Sequence, residues 1–128
     1  MTESTVTYRA IGHVENGFQE PAAPEAIEAA ESRIVLDPAL VEGLQGLEPG
    51  QQVLVLFHCH RSQGYDLLQH PRGDPAQPKR GVFALRSPHR PNPIAVTTVA
   101  LVAIEGNVLH VRGLDAIAGT PVLDIKPA

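Results

Sequence analysis

Residues 94–114 read IAVTTVALVAIEGNVLHVRGL. Ile94 to Ile104 is a long run of apolar and β-branched residues, the composition of a strand. Glu105-Gly106-Asn107 interrupts it with a hairpin turn, where glycine and asparagine supply the backbone angles a tight reversal needs. Val108 to Leu114 then pairs back. Leu109 and Val111 alternate with His110 and Arg112, so one face of this strand is buried and the other wetter. A strand, a short turn and a return strand make an antiparallel pair. No βαβ alternation occurs along the chain, so neither a parallel sheet nor a dinucleotide-binding fold of the Rossmann type is supported.

The flanking segments extend the same pattern. Val6 to Val14 reads as a strand, as does Arg33 to Leu36. The intervening residues from Asn16 to Glu31 read as a loop followed by a weak helical turn at EAIEAAE. Asp37-Pro38 starts a short helix over ALVEGL, because Asp caps free N–H groups and Pro is tolerated at the first helical position. Val53 to Phe57 (VLVLF) is continuously apolar and reads as a strand buried on both faces. Gly64 to Pro78 is broken by Pro71, Gly73, Pro75 and Pro78 and reads as an irregular excursion. Gly81 to Leu85 is a short strand. Gly119-Thr120-Pro121 is a turn, and Val122 to Ile125 a last short strand. The expectation is an all-β, mainly antiparallel fold: a small β-barrel with one or two short helices, in a single domain over residues 1–128.

The bulk numbers fit one globular domain of 128 residues, with 43 % hydrophobic and 19 % charged residues. The formal net charge is −4, which argues against a broad nucleic-acid-binding face but leaves room for a local basic patch. Of the 10 basic residues, Arg61, Arg72, Lys79, Arg80, Arg86 and Arg90 lie in the middle of the chain. Glu20, Glu25, Glu28 and Glu31 crowd the first half. The lone cysteine, Cys59, excludes an intrachain disulfide, and a reducing cytoplasm is the expected location. The first ten residues lack the apolar core of a signal peptide, and no stretch approaches membrane-spanning length.

Three stretches carry chemistry. The first is GVFALRSPHRPNPI, residues 81–94. Pro88, Pro91 and Pro93 fix φ, remove three N–H donors and push the preceding residues toward extended backbone. Such a stiff ribbon loses little entropy on binding, and Arg86 and Arg90 can each present a planar fork to a carboxylate or phosphate. The bland alternative is a proline-rich connector with solvated arginines. The second stretch is GLDAIAGTPVLDIKP, residues 113–127. Asp115 suits ribose hydroxyls or an amine, and Gly119 lets backbone approach a ligand closely. Asp124 and Lys126 share a strand face, either lining a site or pairing with each other. The third is His58-Cys59-His60-Arg61. Two histidines at i and i+2 share a face and can ligate a metal, with His70, His89, Asp115 or Asp124 as a third ligand, but no known metal-site spacing is present and no metal is expected. Cys59 faces the other side, toward the core, without the local signature of a thiol nucleophile.

The order and spacing of GVFALRSPHRPNPI and LDAIAGTPVLDIKP resemble the paired motifs of the TsaA-like family, also described as tRNA (N6-threonylcarbamoyladenosine) methyltransferases of the TrmO type. AIGHV and the Phe-His of VLVLFHCHRSQG also match family positions, so the resemblance spans about Tyr8 to Pro127. It implies a β-barrel that binds S-adenosylmethionine without a Rossmann domain. It implies a homodimer with the cofactor near the dimer interface, and methyl transfer to N6 of a hypermodified adenosine beside a tRNA anticodon. By position, it implies cofactor contacts at Arg86, His58 and Cys59, and in the turn holding Leu114, Asp115, Ala118, Gly119 and Thr120. Arg80, His89, Arg90 and Asn92 are the candidates for holding the acceptor. Asp124 and His58 are candidate bases, and Lys126 a candidate for polarising the carbamoyl oxygen.

Four positions depart from the family pattern. PAAPEAIEAAES stands where many members carry an arginine-containing segment, Ala118 replaces an Asp, Ala95 replaces a Gly, and the chain ends in KPA rather than KPY. A second reading therefore stands beside the first: a cofactor-binding barrel that methylates a small molecule, or that senses the cofactor without catalysis.

Overall fold

The computed structural model describes residues 4–19, 26 and 30–128. Its strands are β1 (Gly12–Glu15), β2 (Glu31–Leu36), β3 (Gln52–His58), β4 (Leu68–Gln69), β5 (Arg80–Gly81), β6 (Ile94–Glu105), β7 (Val108–Arg112) and β8 (Pro121–Pro127). Six of them close into an antiparallel barrel in the order β1-β2-β7-β6-β3-β8, and β4 and β5 form a separate two-stranded ribbon. Closure leaves the barrel without a free sheet edge.

The 94–114 hairpin forms as its pattern dictates. Gly106 takes φ of 60°, the reversal of a two-residue turn whose first position favours glycine. Asn107 then ties the turn to the neighbouring strand, donating from Nδ2 to the Leu36 carbonyl at 2.7 Å, while the Leu36 N–H donates to the Asn107 carbonyl at 2.8 Å. Inside the barrel, Val14, Ile34, Val53, Val55, Val99, Leu101, Leu109, Val111, Leu114 and Val122 are almost wholly buried. Alternate residues of each strand supply this core, as the two-residue period requires.

Three expectations need correction. β1 starts at Gly12, not Val6, and Val6 and Tyr8 are exposed. Ile11 still bonds its neighbours, its N–H donating to the Val122 carbonyl at 2.8 Å and its carbonyl accepting from the Asp37 N–H at 2.9 Å, but the β-favouring Val6, Thr7 and Tyr8 before it lie in no strand, and propensity alone does not make a ladder. Val53 to Phe57 is not buried on both faces: Val53, Val55 and Phe57 point inward, while Leu54 and Leu56 are only half-buried on the outer wall. A barrel has one interior, so a continuously apolar strand leaves half its residues outside. Gly81 to Leu85 is not a strand, because β5 stops at Gly81 and Val82–Ala84 is a 3-10 turn. The helix expected after Asp37 is a 3-10 helix over Pro38–Leu44. Asp37 accepts from the Ala39 N–H at 3.0 Å, and Pro38 stands at the first helical position. The helical turn expected at EAIEAAE lies, for most of its length, outside the described residues.

Two close approaches shape the wall. A Cβ on Gly12 would lie 2.4 Å from the Val35 carbonyl oxygen and 3.0 Å from the Leu36 Cα, so only glycine fits where β1 crosses β2. In β8 the register against β3 slips between Leu56 and Phe57, leaving Leu123 as the extra residue of a bulge. The Asp124 carboxylate accepts from the Ile125 N–H at 2.9 Å beside it.

Candidate functional site

Antiparallel order sends alternate loops to opposite ends of a barrel. The ends of β1, β3 and β7 and the starts of β6 and β8 share one end. All three chemistry-bearing stretches therefore leave the barrel there, although they are separated by tens of residues in the chain.

Hydrogen bonds bind two of them together. The Cys59 N–H donates to the Pro93 carbonyl at 2.8 Å, joining the end of β3 to the proline-rich stretch. Ser62 Oγ donates to the Pro88 carbonyl at 2.9 Å and lies 3.2 Å from His89 Nδ1. Gln69 Nε2 donates to the His89 carbonyl at 2.6 Å. Arg90 turns inward: its Nη1 donates to the carbonyls of Leu85 and Ser87, both at 3.0 Å. Five donors on an ionised guanidinium suit it to collecting carbonyls that prolines have left without strand partners. Arg86, by contrast, is exposed and forms no ion pair among the described residues.

The 113–120 turn is anchored from β1. Asn16 Nδ2 donates to the Ala116 carbonyl at 2.8 Å and to Ser32 Oγ at 3.1 Å. The Ala118 N–H donates to the Phe18 carbonyl at 2.6 Å, and the Gly119 N–H to the Val14 carbonyl at 2.7 Å. Thr120 is buried, with its hydroxyl donating to the Ile117 carbonyl at 2.7 Å. Leu114 is fully buried and works as core. Gly119 adopts φ of 84° with open space where a Cβ would stand, so the backbone is bare on its outer side.

Electrostatics join the third member. Burial pushes the Cys59 thiol above its ordinary pKa, the Asp115 carboxylate pushes it further, and the Arg90 guanidinium opposes both. Cys59 thus feels both Asp115 and Arg90 at the same barrel end. A protonated, half-buried thiol is a poor nucleophile and lines the site as a small soft apolar group.

Asp124 and Lys126 stand elsewhere. They face outward opposite Leu56 and Leu54 and pair with each other at 3.1 Å. Asp124 also lines an open groove of about 480 Å³ beside Leu40 and Leu44 of the 3-10 helix and Leu47 just after it. His58 closes β3 opposite Ile94, on the same outer wall. The described residues contain no group of three His, Cys, Asp or Glu that can hold a metal. Sequence reasoning missed Asn16, whose cross-barrel bonds leave no local signal, and the inward turn of Arg90, which composition cannot distinguish from outward display.

The closed antiparallel barrel thus gathers at one loop end an arginine-bearing, proline-rich loop, a bare glycine turn and an acidic side chain, the class of arrangement that suits a small ligand. The chain belongs to the family of the tRNA-methyltransferase O N-terminal domain, whose model matches residues 12–128. It is 40 % identical over 126 residues to a probable S-adenosyl-L-methionine-binding protein of Pyrococcus abyssi, covering 95 % of this chain and 67 % of the relative. A human tRNA (adenine(37)-N6)-methyltransferase is 46 % identical over 87 residues, covering 66 % of this chain and 19 % of that protein. The crystal structure of TrmO from Pseudomonas aeruginosa superposes with a TM-score of 0.76 at 36 % identity, over 98 % of this chain and 56 % of that one. This chain therefore spans little more than half of the solved TrmO chain and about a fifth of the human enzyme.

Proposed function

We propose that this chain is an S-adenosylmethionine-dependent methyltransferase acting on N6 of a modified adenosine beside a tRNA anticodon. The observation that carries this is the convergence of residues 58–62, 85–93 and 114–120 on one barrel end, the first two tied by the Cys59–Pro93 and Ser62–Pro88 bonds and the third anchored to β1 through Asn16 and Val14. Family membership and the names of the relatives support the same reading.

The residues present suit the cofactor. Arg86 holds its carboxylate, Asp115 its amine or ribose hydroxyls, and the bare backbone at Gly119 gives it close approach. Cys59 and the surrounding carbonyls offer the soft, uncharged lining that a sulfonium favours. The cofactor, when bound, supplies an electrophilic methyl group. The protein's own task is to hold donor and acceptor in line and exclude water, which supplies most of the rate in a direct displacement. The N6 lone pair is delocalised into the ring, so a base beside it helps. His58, at the end of β3, is the candidate nearest the loop cluster.

A homodimer fits the outer wall, and one barrel spanning residues 1–128 is the unit that would pair. Ile94 and Val96 of β6 are exposed at 45 % and 41 %, and the half-buried Leu56 and Leu54 of β3 adjoin them across the β3–β6 ladder, opposite Val96 and Thr98. A second copy on this wall would bring Asp124, Lys126 and His58 to the interface. No helix among the described residues is long and apolar enough to cross a membrane, consistent with an aqueous compartment holding tRNA.

The test is calorimetric titration of S-adenosylmethionine into the wild type and an Arg86→Ala variant. Saturable binding that weakens at least about tenfold in the variant is expected, the scale of one charge-assisted bond. No binding to the wild type overturns the cofactor reading. Binding without transfer to tRNA points to the small-molecule or sensor reading.

A further inference from the structure

The excursion between β3 and β6 has features that cofactor binding does not use. Almost all of residues 60–81 are exposed, and β4 and β5 pair only with each other. Val82 pins the ribbon, buried to 1 % with its N–H donating to the Leu67 carbonyl at 2.8 Å. The next residue, Phe83, points the other way and is 78 % exposed. Leu67 and Leu68, paired alongside residues 82 and 81, and Tyr65 earlier in the same arm are each more than half exposed. Three phenylalanines and two tyrosines are all the aromatic residues of this chain, so an arm that displays two of them in water is unusual.

The charges around them are equally particular. Residues 61–90 hold six basic side chains against two acids, Asp66 and Asp74, in a chain of net charge −4. On the barrel wall, Arg33, Arg112 and Lys126 are each paired with a carboxylate. Arg72, Lys79 and Arg80 form no ion pair among the described residues. Cations held apart from carboxylates beside exposed rings are the two elements of a single-stranded nucleic-acid platform: rings stack on bases, cations follow phosphates.

We propose that this arm is a docking surface for the unpaired loop of an RNA hairpin, with Phe83 and Tyr65 stacking on bases and Arg72, Lys79 and Arg80 contacting phosphates. This deepens the tRNA reading above and rests on it. A hairpin loop presents the splayed bases that exposed rings can accept, whereas a duplex does not. A second copy of this chain fits the arm less well, since like cationic rims would meet. Arg90 is not among the phosphate contacts, because its guanidinium is engaged with Leu85 and Ser87.

The experiment measures binding of a fluorescent anticodon stem-loop RNA to the wild type and to Phe83→Leu, Phe83→Trp and Lys79→Glu/Arg80→Glu variants. Each is also titrated with S-adenosylmethionine and sized by sedimentation. Phe83→Leu keeps the apolar area and loses the stacking ring, so RNA affinity falls roughly five- to 150-fold, and Phe83→Trp retains it. The charge-reversal variant binds RNA more weakly still, with its salt slope lowered by about two. Cofactor affinity stays at the wild-type value in all three. Unchanged RNA affinity in Phe83→Leu overturns the arm, as does a change in oligomeric state, which would assign the surface to a protein partner. A wild type that binds S-adenosylmethionine but not RNA overturns the arm and the tRNA acceptor while leaving the cofactor reading in place. A wild type that binds RNA through the arm but not S-adenosylmethionine supports the arm and removes the cofactor.

Discussion

Replacing Arg90 with methionine separates the two roles an arginine in this stretch can have. Methionine keeps most of the side-chain stem and its packing but removes the guanidinium. Two bonds are lost, from Nη1 to the carbonyls of Leu85 and Ser87. A hydrogen bond from a charged donor contributes at least about 1.5 kcal/mol, and water replaces part of it at a half-buried site, so the pair is worth about 1–2 kcal/mol. That energy holds residues 85–90 in shape, and with it the position of Arg86. A ligand binding there must then supply the ordering itself, which lowers affinity by about 5- to 30-fold. Calorimetric titration of S-adenosylmethionine reads the effect. The barrel core does not include Arg90, so the thermal midpoint falls by no more than about 5 °C. An Arg90→Lys variant, with a compact charge in place of the planar fork, falls between the two. Affinity within about twofold of the wild type in a folded Arg90→Met variant would refute the reasoning, because the carbonyl staple would then not set the site.

Two further predictions concern the barrel and its thiol. Gly12→Ala forces a Cβ to within 2.4 Å of the Val35 carbonyl, in a strand held on both sides by Leu36 and Val122. The expected cost is about 2–3 kcal/mol, a midpoint lower by roughly 10 °C, whereas Gly17→Ala, with open space around it, leaves the midpoint unchanged. Equal midpoints for the two variants would contradict the crossing. Cys59 should alkylate with a pH midpoint above that of a free thiol, moved down by Asp115→Asn and up by Arg90→Met. Since the folded-state pKa lies above the unfolded one, the thiol's contribution to stability is present below the ordinary thiol pKa and is lost as pH rises through the folded value. A midpoint unmoved by Asp115→Asn would show that the two groups do not interact.

The legible parts of this protein are those that depend on neighbours in the chain. The 94–114 hairpin and the Asp37 cap follow from residues within a few positions of one another, and both appear in the structure, whereas the extended ribbon expected at 86–93 is bent, with the Arg90 N–H donating to the Pro88 carbonyl and the Ile94 N–H to the Asn92 carbonyl. The end of VLVLF at His58 and the Gly119 turn were legible for the same reason. The misreadings have a common origin. Val6 to Tyr8 has strand propensity but lies in no strand, and the apolar outer residues Leu54 and Leu56 look like core until a barrel assigns an inside and an outside.

The sequence by itself determined where strands and turns fall and which side chains have the chemistry to bind an anion or a sulfonium, because alternation, proline stiffness and turn residues act locally. Only the tertiary structure decided which of them meet. Barrel closure and antiparallel order bring Cys59, Pro93, Asp115 and Arg90 to one end, and the β8 register sends Asp124 and Lys126 to the outer wall. It also turned one arginine inward and left Phe83 in water. These outcomes depend on pairings across many tens of residues, and no short window of the chain records them.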